Sequence, residues 1–162
     1  MNTSKGRTIN QSARIALLFA IALPLVAKVY ASGPFATNYT NASLNGVYGY
    51  SSAGDILGPS NGSNTTNSPA AFVGLWWFDG NGTFKFYDIG NVAGGINQRG
   101  TANDPIVGTY AVNPDGTGTI HWVTPLSGLS HTRDFVIVDA GKEIQFIVAD
   151  DISTQRGVAK KQ

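Results

Sequence analysis

Residues 75–89 read LWWFDGNGTFKFYDI, and this stretch decides the fold. Aromatic and apolar residues lie on both sides of the Asp79–Gly82 segment, whose composition is typical of a tight turn between two antiparallel strands. Around this turn Trp76 falls opposite Phe86, and both share a face with Asp88. The stretch therefore predicts a β-hairpin with one aromatic face.

The same pattern of short β-branched and aromatic segments between Gly-rich turns recurs along the chain, and no segment after residue 31 has helical spacing. Tight turns at Asn113–Gly116 and Asp139–Lys142 fall at the same end as the first turn. The longer connections, including Gly90–Pro105, fall at the other end, and we interpret the glycines at its start as a flexible loop. The pattern predicts eight strands, at Leu44–Ser51, Ala71–Phe78, Thr83–Ile89, Ile106–Val112, Thr117–Thr124, Thr132–Val138, Glu143–Ala149 and Gln155–Lys161.

Eight antiparallel strands have two unpaired edges that closure into a ring removes. An even strand number also lets the last strand pair antiparallel with the first. We therefore predict an all-β fold, an eight-stranded antiparallel up-and-down barrel.

The first 31 residues have the composition of a secretory signal peptide. Lys5, Arg7 and Arg14 precede an apolar run over residues 15–26, and Val29-Tyr30-Ala31 offers small residues for cleavage. An apolar run of about a dozen residues is shorter than the roughly 20 that a membrane span needs. We expect a cleaved signal peptide over 1–31, a polar N-terminal arm over 32–42 and a barrel domain over 43–162. The mature protein would be secreted, periplasmic or extracellular, with no membrane span after cleavage.

Charge and cysteine content exclude several functions. The whole chain carries a formal charge of +1 from 11 basic and 10 acidic residues. Four of the bases lie in the leader, so seven basic and ten acidic residues remain in the mature chain, a net charge of −3. The single basic pair, Lys160-Lys161, is typical of a solvated tail, and this charge balance argues against a nucleic-acid-binding surface. There is no cysteine, so thiol catalysis and cysteine-bound metal are excluded, and we expect no cofactor and no metal.

Several polar residues are predicted to point into the barrel near the end with long connections. Strand register places Arg133 and His131 on the inner face with Phe135, with His131 opposite Asp150. A mostly apolar concavity with a few converging polar groups is the usual form of a small-molecule site. The predicted ligand-binding residues are Asp88, His131, Arg133 and Asp150, with walls from Trp76, Phe86, Tyr110, Trp122 and Phe135.

Two other interpretations of these residues remain open at this point. In the first, Arg133 bridges Asp88 and Asp150 with His131 beside them, so that ion pairs close the top of a packed aromatic core. In the second, His131, Asp88 and Asp150 form a metal site with two carboxylates and one imidazole.

A resemblance extends over nearly all of the mature chain. Its motifs are Leu44-Asn45-Gly46-Val47-Tyr48-Gly49-Tyr50, Phe78-Asp79-Gly80-Asn81-Gly82, Gly108-Thr109-Tyr110 with Asn113-Pro114-Asp115-Gly116-Thr117-Gly118, and Phe135-Val136-Ile137-Val138-Asp139 through Glu143-Ile144-Gln145-Phe146. In these motifs the chain resembles a group of uncharacterised secreted bacterial proteins. In architecture it is similar to the calycins, including the lipocalins, and to allene-oxide-cyclase-like barrels, which implies a calycin-like barrel.

Three functions are compatible with this sequence. The first is a secreted barrel that binds a small apolar or amphipathic ligand, anionic or hydroxylated, with Arg133 and His131 as polar anchors. The second is an enzyme of isomerase or cyclase type, with His131 as a base. The third is a structural or adhesive surface protein with a packed core, using exposed Trp77, Tyr87 and the Gly58–Ser68 loop as contacts. The sequence identifies no catalytic residue and leaves the oligomeric state open.

Overall fold

The computed structural model describes residues 38–57, 67–125 and 127–162. The predicted signal peptide and most of the predicted arm lie outside the described residues. Short 3-10 turns occupy Asn41–Ser43 and Asp139–Gly141. The strands are β1 Asn45–Ile56, β2 Ser68–Asp79, β3 Thr83–Val92, β4 Gly95–Arg99, β5 Ile106–Val112, β6 Thr117–Val123, β7 Ser130–Val138, β8 Glu143–Val148 and β9 Arg156–Lys161.

Eight of these strands close into a ring. Every pairing is antiparallel, and the ring runs β1, β2, β3, β5, β6, β7, β8, β9 and back to β1. Strand β4 stands outside the ring and pairs with β3 at the far end of the β3 strand. The predicted all-β, eight-stranded antiparallel barrel is confirmed, with one additional strand.

The prediction of a flexible loop after Gly90 is wrong. Strand β3 continues to Val92 and turns back into β4 through Ala93 and Gly94, which both have positive φ. Two consecutive residues of that conformation match the right-handed twist of a two-residue hairpin. The Asn91 side chain accepts the Gly94 N–H at 2.8 Å and fixes the turn. The glycines here therefore build a hairpin.

The predicted register is the one observed. Trp76 is paired with Phe86 across β2 and β3, and Phe135 with Phe146 across β7 and β8. Trp122 is paired with His131 across β6 and β7, the register expected because it places the apolar Trp122 inside with Phe135. The face predicted to be interior is therefore the buried face of the barrel.

Inward-facing glycines let the strands bend sharply around the ring. A Cβ on Gly118 would overlap the Phe135 ring and the Ala111 carbonyl oxygen, and a Cβ on Gly157 would overlap the Phe146 ring. In each pair the aromatic side chain is the direct cross-strand neighbour of the glycine. Glycine kinks covered by an aromatic ring are a known device for curving a sheet into a barrel.

The three tight turns close one end of the barrel, called the turn end below. The Tyr39 N–H donates to the Pro114 carbonyl at 3.1 Å, and the Asn41 side chain accepts the Val112 N–H at 2.8 Å. The described part of the predicted arm therefore packs against the barrel at the turn end. No helix in the described ranges has both the length and the apolar character that a membrane crossing requires.

Candidate functional site

The opposite end, called the loop end below, contains a cavity of about 590 Å³. We call it the mouth cavity. Phe72, Val92 and Ile106 give it apolar walls, while Arg99 and His131 give it polar ones. These side chains come from strands β2, β3, β5, β4 and β7, so the cavity is bordered by several sides of the ring. Its volume lies within the range of roughly 300–1,000 Å³ for small-molecule sites.

Asp88 does not line the mouth cavity itself but is held by two side chains, one of them the lining residue Arg99. Arg99 donates from Nε to Oδ1 at 2.9 Å and from Nη2 to Oδ2 at 2.6 Å, a two-point contact. The Tyr50 hydroxyl also donates to Oδ2. The Asp88 side chain is fully buried, and that of Arg99 is 15 % exposed. Burial raises the pKa of Tyr50, with the Asp88 charge acting in the same direction, so the phenol stays protonated and donates.

Arg133 lies deeper and has a different environment. It is 3 % exposed, and its guanidinium carbon lies 4.9–5.7 Å from the centroids of four aromatic rings. We call these rings, from Tyr50, Trp76, Trp122 and Phe146, the guanidinium cage. Cation–π attraction stabilises the charge here. Burial nevertheless lowers the pKa of Arg133 to about 10, so the side chain is still charged at neutral pH.

His131 connects the mouth cavity to the cage. Its ring stacks on Trp122, with centroids 5.0 Å apart and planes 15° from parallel. Its Nδ1 lies 3.6 Å from Asp150 Oδ2, beyond hydrogen-bonding distance. Asp150 itself accepts the N–H groups of Thr132 at 3.1 Å and Ile152 at 3.0 Å. Burial lowers the pKa of His131, an effect that the Asp150 charge opposes, so the imidazole is neutral at pH 7.

The five predicted walls are buried in the barrel core, but none of them lines the mouth cavity, and Tyr110 is displaced from the others. Of the nine predicted ligand-binding residues, His131 alone lines that cavity. Phe86 packs edge-on against Trp122 at 5.2 Å, and Phe135 is buried on the inner face of β7. Tyr110 is buried at the turn end, where its hydroxyl donates to the carbonyls of Asn41 and Leu44 at 3.0 Å. Tyr110 therefore closes the far end of the barrel and is remote from the mouth cavity.

Two of the open interpretations do not match the geometry. The ion pair predicted between Arg133 and the two aspartates is wrong, because Asp88 is bound by Arg99 and Asp150 by backbone N–H groups. Nor do Asp88, His131 and Asp150 form a metal site: no group of three or more potential ligands comes together within the ranges described.

Sequence reasoning missed Tyr50 and Arg99. Tyr48, Tyr50 and Ser52 alternate along β1, which was the available signal for an inward Tyr50. No tight turn joins β1 to a neighbour, so its register could not be fixed from the sequence. Arg99 lies in the short polar strand GINQR, which has no alternation to detect.

No protein-family model and no curated protein matches this chain. Among solved structures, one described as "Structure of EF1p2_mFAP2b bound to DFHBI" superposes with a TM-score of 0.49 and 15% sequence identity. The superposition covers 78% of this chain and 99% of that chain. A likeness at this level carries no argument about function. The fold alone therefore defines the class of this protein, which is a closed, eight-stranded antiparallel β-barrel with a cavity at its loop end.

Proposed function

We propose that this protein binds a small, partly apolar molecule in the mouth cavity. The supporting observation is the cavity itself, about 590 Å³ in volume, with Phe72, Val92 and Ile106 on its walls and polar side chains, Arg99 and His131 among them, lining it as well. The interior below is occupied by aromatic rings in mutual contact, with Tyr50 and Trp76 centroids 4.5 Å apart and Trp76 and Phe146 centroids 4.7 Å apart. Room for a ligand body therefore lies at the loop end.

Arg99 and His131 determine which polar groups such a ligand would carry. The Arg99 guanidinium stacks over Phe72 at 4.1 Å, while Asp88 takes two of its N–H groups. The pairing fixes the guanidinium in place beside the cavity. A neutral His131 can both donate and accept a hydrogen bond. These groups favour a hydroxylated or anionic ligand with an apolar body.

We also propose that the protein acts outside the cytoplasm, in the periplasm or the extracellular medium. The basic and apolar composition of residues 1–31 and the small residues before position 32 support this. N-terminal sequencing of the exported protein tests it. A mature chain beginning at Ser32 is expected, and an uncleaved Met1 in the membrane fraction would contradict it.

Native mass spectrometry of the protein from its own secretion medium, followed by denaturing extraction, tests the binding proposal. Thr124→Trp is the blocking variant, because Thr124 lines the cavity and its neighbour Val123 faces outward with 47% exposure. Val123→Trp is the matched control. We expect a stoichiometric small molecule with the natural protein and with Val123→Trp, and its loss from Thr124→Trp. Equal binding by all three proteins, or by none, would overturn the proposal.

An isomerase or cyclase is the second candidate, and the His131–Asp150 pair at the cavity is the observation that favours it. A neutral imidazole 3.6 Å from a carboxylate can take a proton from a bound substrate. The test is to incubate the extracted ligand with the natural protein and with His131→Gln. Conversion to an isomer of equal mass, lost in the variant, would establish catalysis, and recovery of unchanged ligand would leave binding alone.

A further inference from the structure

We propose that the guanidinium cage is a binding site for an anionic group, a halide or a carboxylate, held by Arg133. This site lies below the mouth cavity and uses different donors. The anion has two sources, since it can be free in solution or form the head of the ligand in the cavity. In the second case the inference rests on the proposed function.

Arg133 is a buried cation without a close counter-ion among the described residues. The ion pairs among the described residues join Arg99 to Asp88, His131 to Asp150 and Lys160 to Glu143, and none includes Arg133. A charge taken out of water is costly unless an opposite charge or good hydrogen bonds compensate it. Cation–π contacts supply only part of that compensation.

The side-chain hydrogen-bonding groups left without a partner around Arg133 are all of one kind. Three buried side-chain nitrogens in the described structure have no hydrogen-bond partner: Arg133 Nε, Trp76 Nε1 and Trp122 Nε1. All three are donors. The two indole rings have their centroids 5.3 and 5.0 Å from the guanidinium carbon, so the three donors belong to side chains that contact one another. A water molecule must donate as well as accept, whereas an anion only accepts, and it therefore matches this cluster better.

The guanidinium cage lies close to the mouth cavity along strand β7. Arg133 lies two residues from His131 on β7, and both face inward. Two residues of a strand span about 7 Å. That distance is short enough for a carboxylate head to reach Arg133 while an apolar tail stays in the cavity.

Thermal unfolding in increasing sodium chloride, acetate or octanoate tests the site. The variants are Arg133→Met and, as the matched control for general salt effects, Arg156→Met at an exposed position. For the natural protein and Arg156→Met, we expect the midpoint to rise by about 4 °C at ten times the Kd of the bound anion. Arg133→Met should show no such rise. Equal salt responses in all three proteins would overturn the proposal.

Bromide diffraction keeps the test valid if Arg133→Met does not fold. Crystals of the natural protein soaked in sodium bromide should show an anomalous peak beside Arg133 and the two indole N–H groups. If such crystals show bromide at surface positions and none in the cage, the proposal is wrong.

The Thr124→Trp variant separates this inference from the proposed function. Chloride and acetate effects should persist in it, while the octanoate effect should be reduced. Chloride binding without any binding of octanoate would support the anion site and contradict ligand binding in the cavity. Octanoate binding that is equal in Arg133→Met and in the natural protein would support ligand binding in the cavity and contradict the anion site.

Discussion

The two ends of the barrel use the same kind of aromatic interior in different ways. At the turn end, the buried tyrosines find partners: Tyr48 donates to the Gly141 carbonyl at 2.5 Å, and Tyr110 donates to two carbonyls. At the loop end, Asp88, Arg99 and Arg133 place charges in the interior, and three buried donors have no partner in the described structure. Buried charges are not needed for stability, because apolar side chains of similar volume often stabilise a protein interior equally well. Stability therefore rests mainly on the turn end, while the loop end is where we propose binding.

Phe78→Ala should cause the largest loss, because it empties the centre of the turn end. Phe78 is fully buried and contacts Tyr48, Phe84 and Tyr110 at centroid distances of 5.0–5.3 Å. We expect the free energy of unfolding to fall by about 3–5 kcal/mol, measured by urea denaturation. Ligand binding by the folded fraction should be unchanged. A loss below about 1 kcal/mol would mean that the turn end is not the stabilising region.

At the loop end the two arginines should respond in opposite directions. Arg99→Met leaves the buried Asp88 carboxylate with Tyr50 as its partner, so we expect a loss of about 2–4 kcal/mol in urea denaturation. Arg133→Met removes an uncompensated charge, so in anion-free buffer it should raise stability. Arg156→Met at the surface should stay within about 0.5 kcal/mol. A loss of equal size at both buried arginines would show that Arg133 is a structural cation.

Gly118→Ala tests the bending that both ends share. The added methyl group would overlap the Phe135 ring and the Ala111 carbonyl, so we expect a loss of about 1–3 kcal/mol. Gly95→Ala is the control, because its Cβ would meet one atom at an ordinary 3.5 Å. Comparable unfolding midpoints for the two variants would contradict a role for the kink.

The smallest effect should be a pH dependence at His131. Burial lowers its pKa below the ordinary 6.5. Between the two values the unfolded chain binds more protons than the folded protein, so the stability from this group is complete above about pH 6.5. It is lost as the pH falls through the folded pKa. Thermal midpoints between pH 7 and 4 should therefore fall less steeply for His131→Gln, and parallel curves would contradict the assignment.

The parts of this structure that follow from the sequence are those fixed by tight turns. The turn at Asp79–Gly82 sets the register of Trp76 against Phe86, and alternation then places Asp88 inside. The turn at Asp139–Lys142 sets the register of Phe135 against Phe146, and alternation then places Arg133 inside.

The rest depended on tertiary contacts with weak local signals. Arg99 reaches Asp88 only because Ala93 and Gly94 reverse the chain, and the residues NVAGG also suit a loop. The sequence placed Arg133 in the interior but assigned it the wrong partners, because ion pairing depends on which cation comes closest to the carboxylate. The inward glycines could have been found, since Gly118 and Gly157 occupy positions where alternation requires an interior residue.

Strand β4 has a consequence for how the protein behaves when concentrated. Closure of a barrel hides every backbone donor and acceptor, but within the described chain β4 is paired on one side only. The unpaired edge of β4 is a template for a strand from another copy, and β4 also carries the exposed apolar Ile96. With five residues the template is short, which limits aggregation. At high concentration, self-association of this barrel would therefore begin at the hairpin beside its mouth.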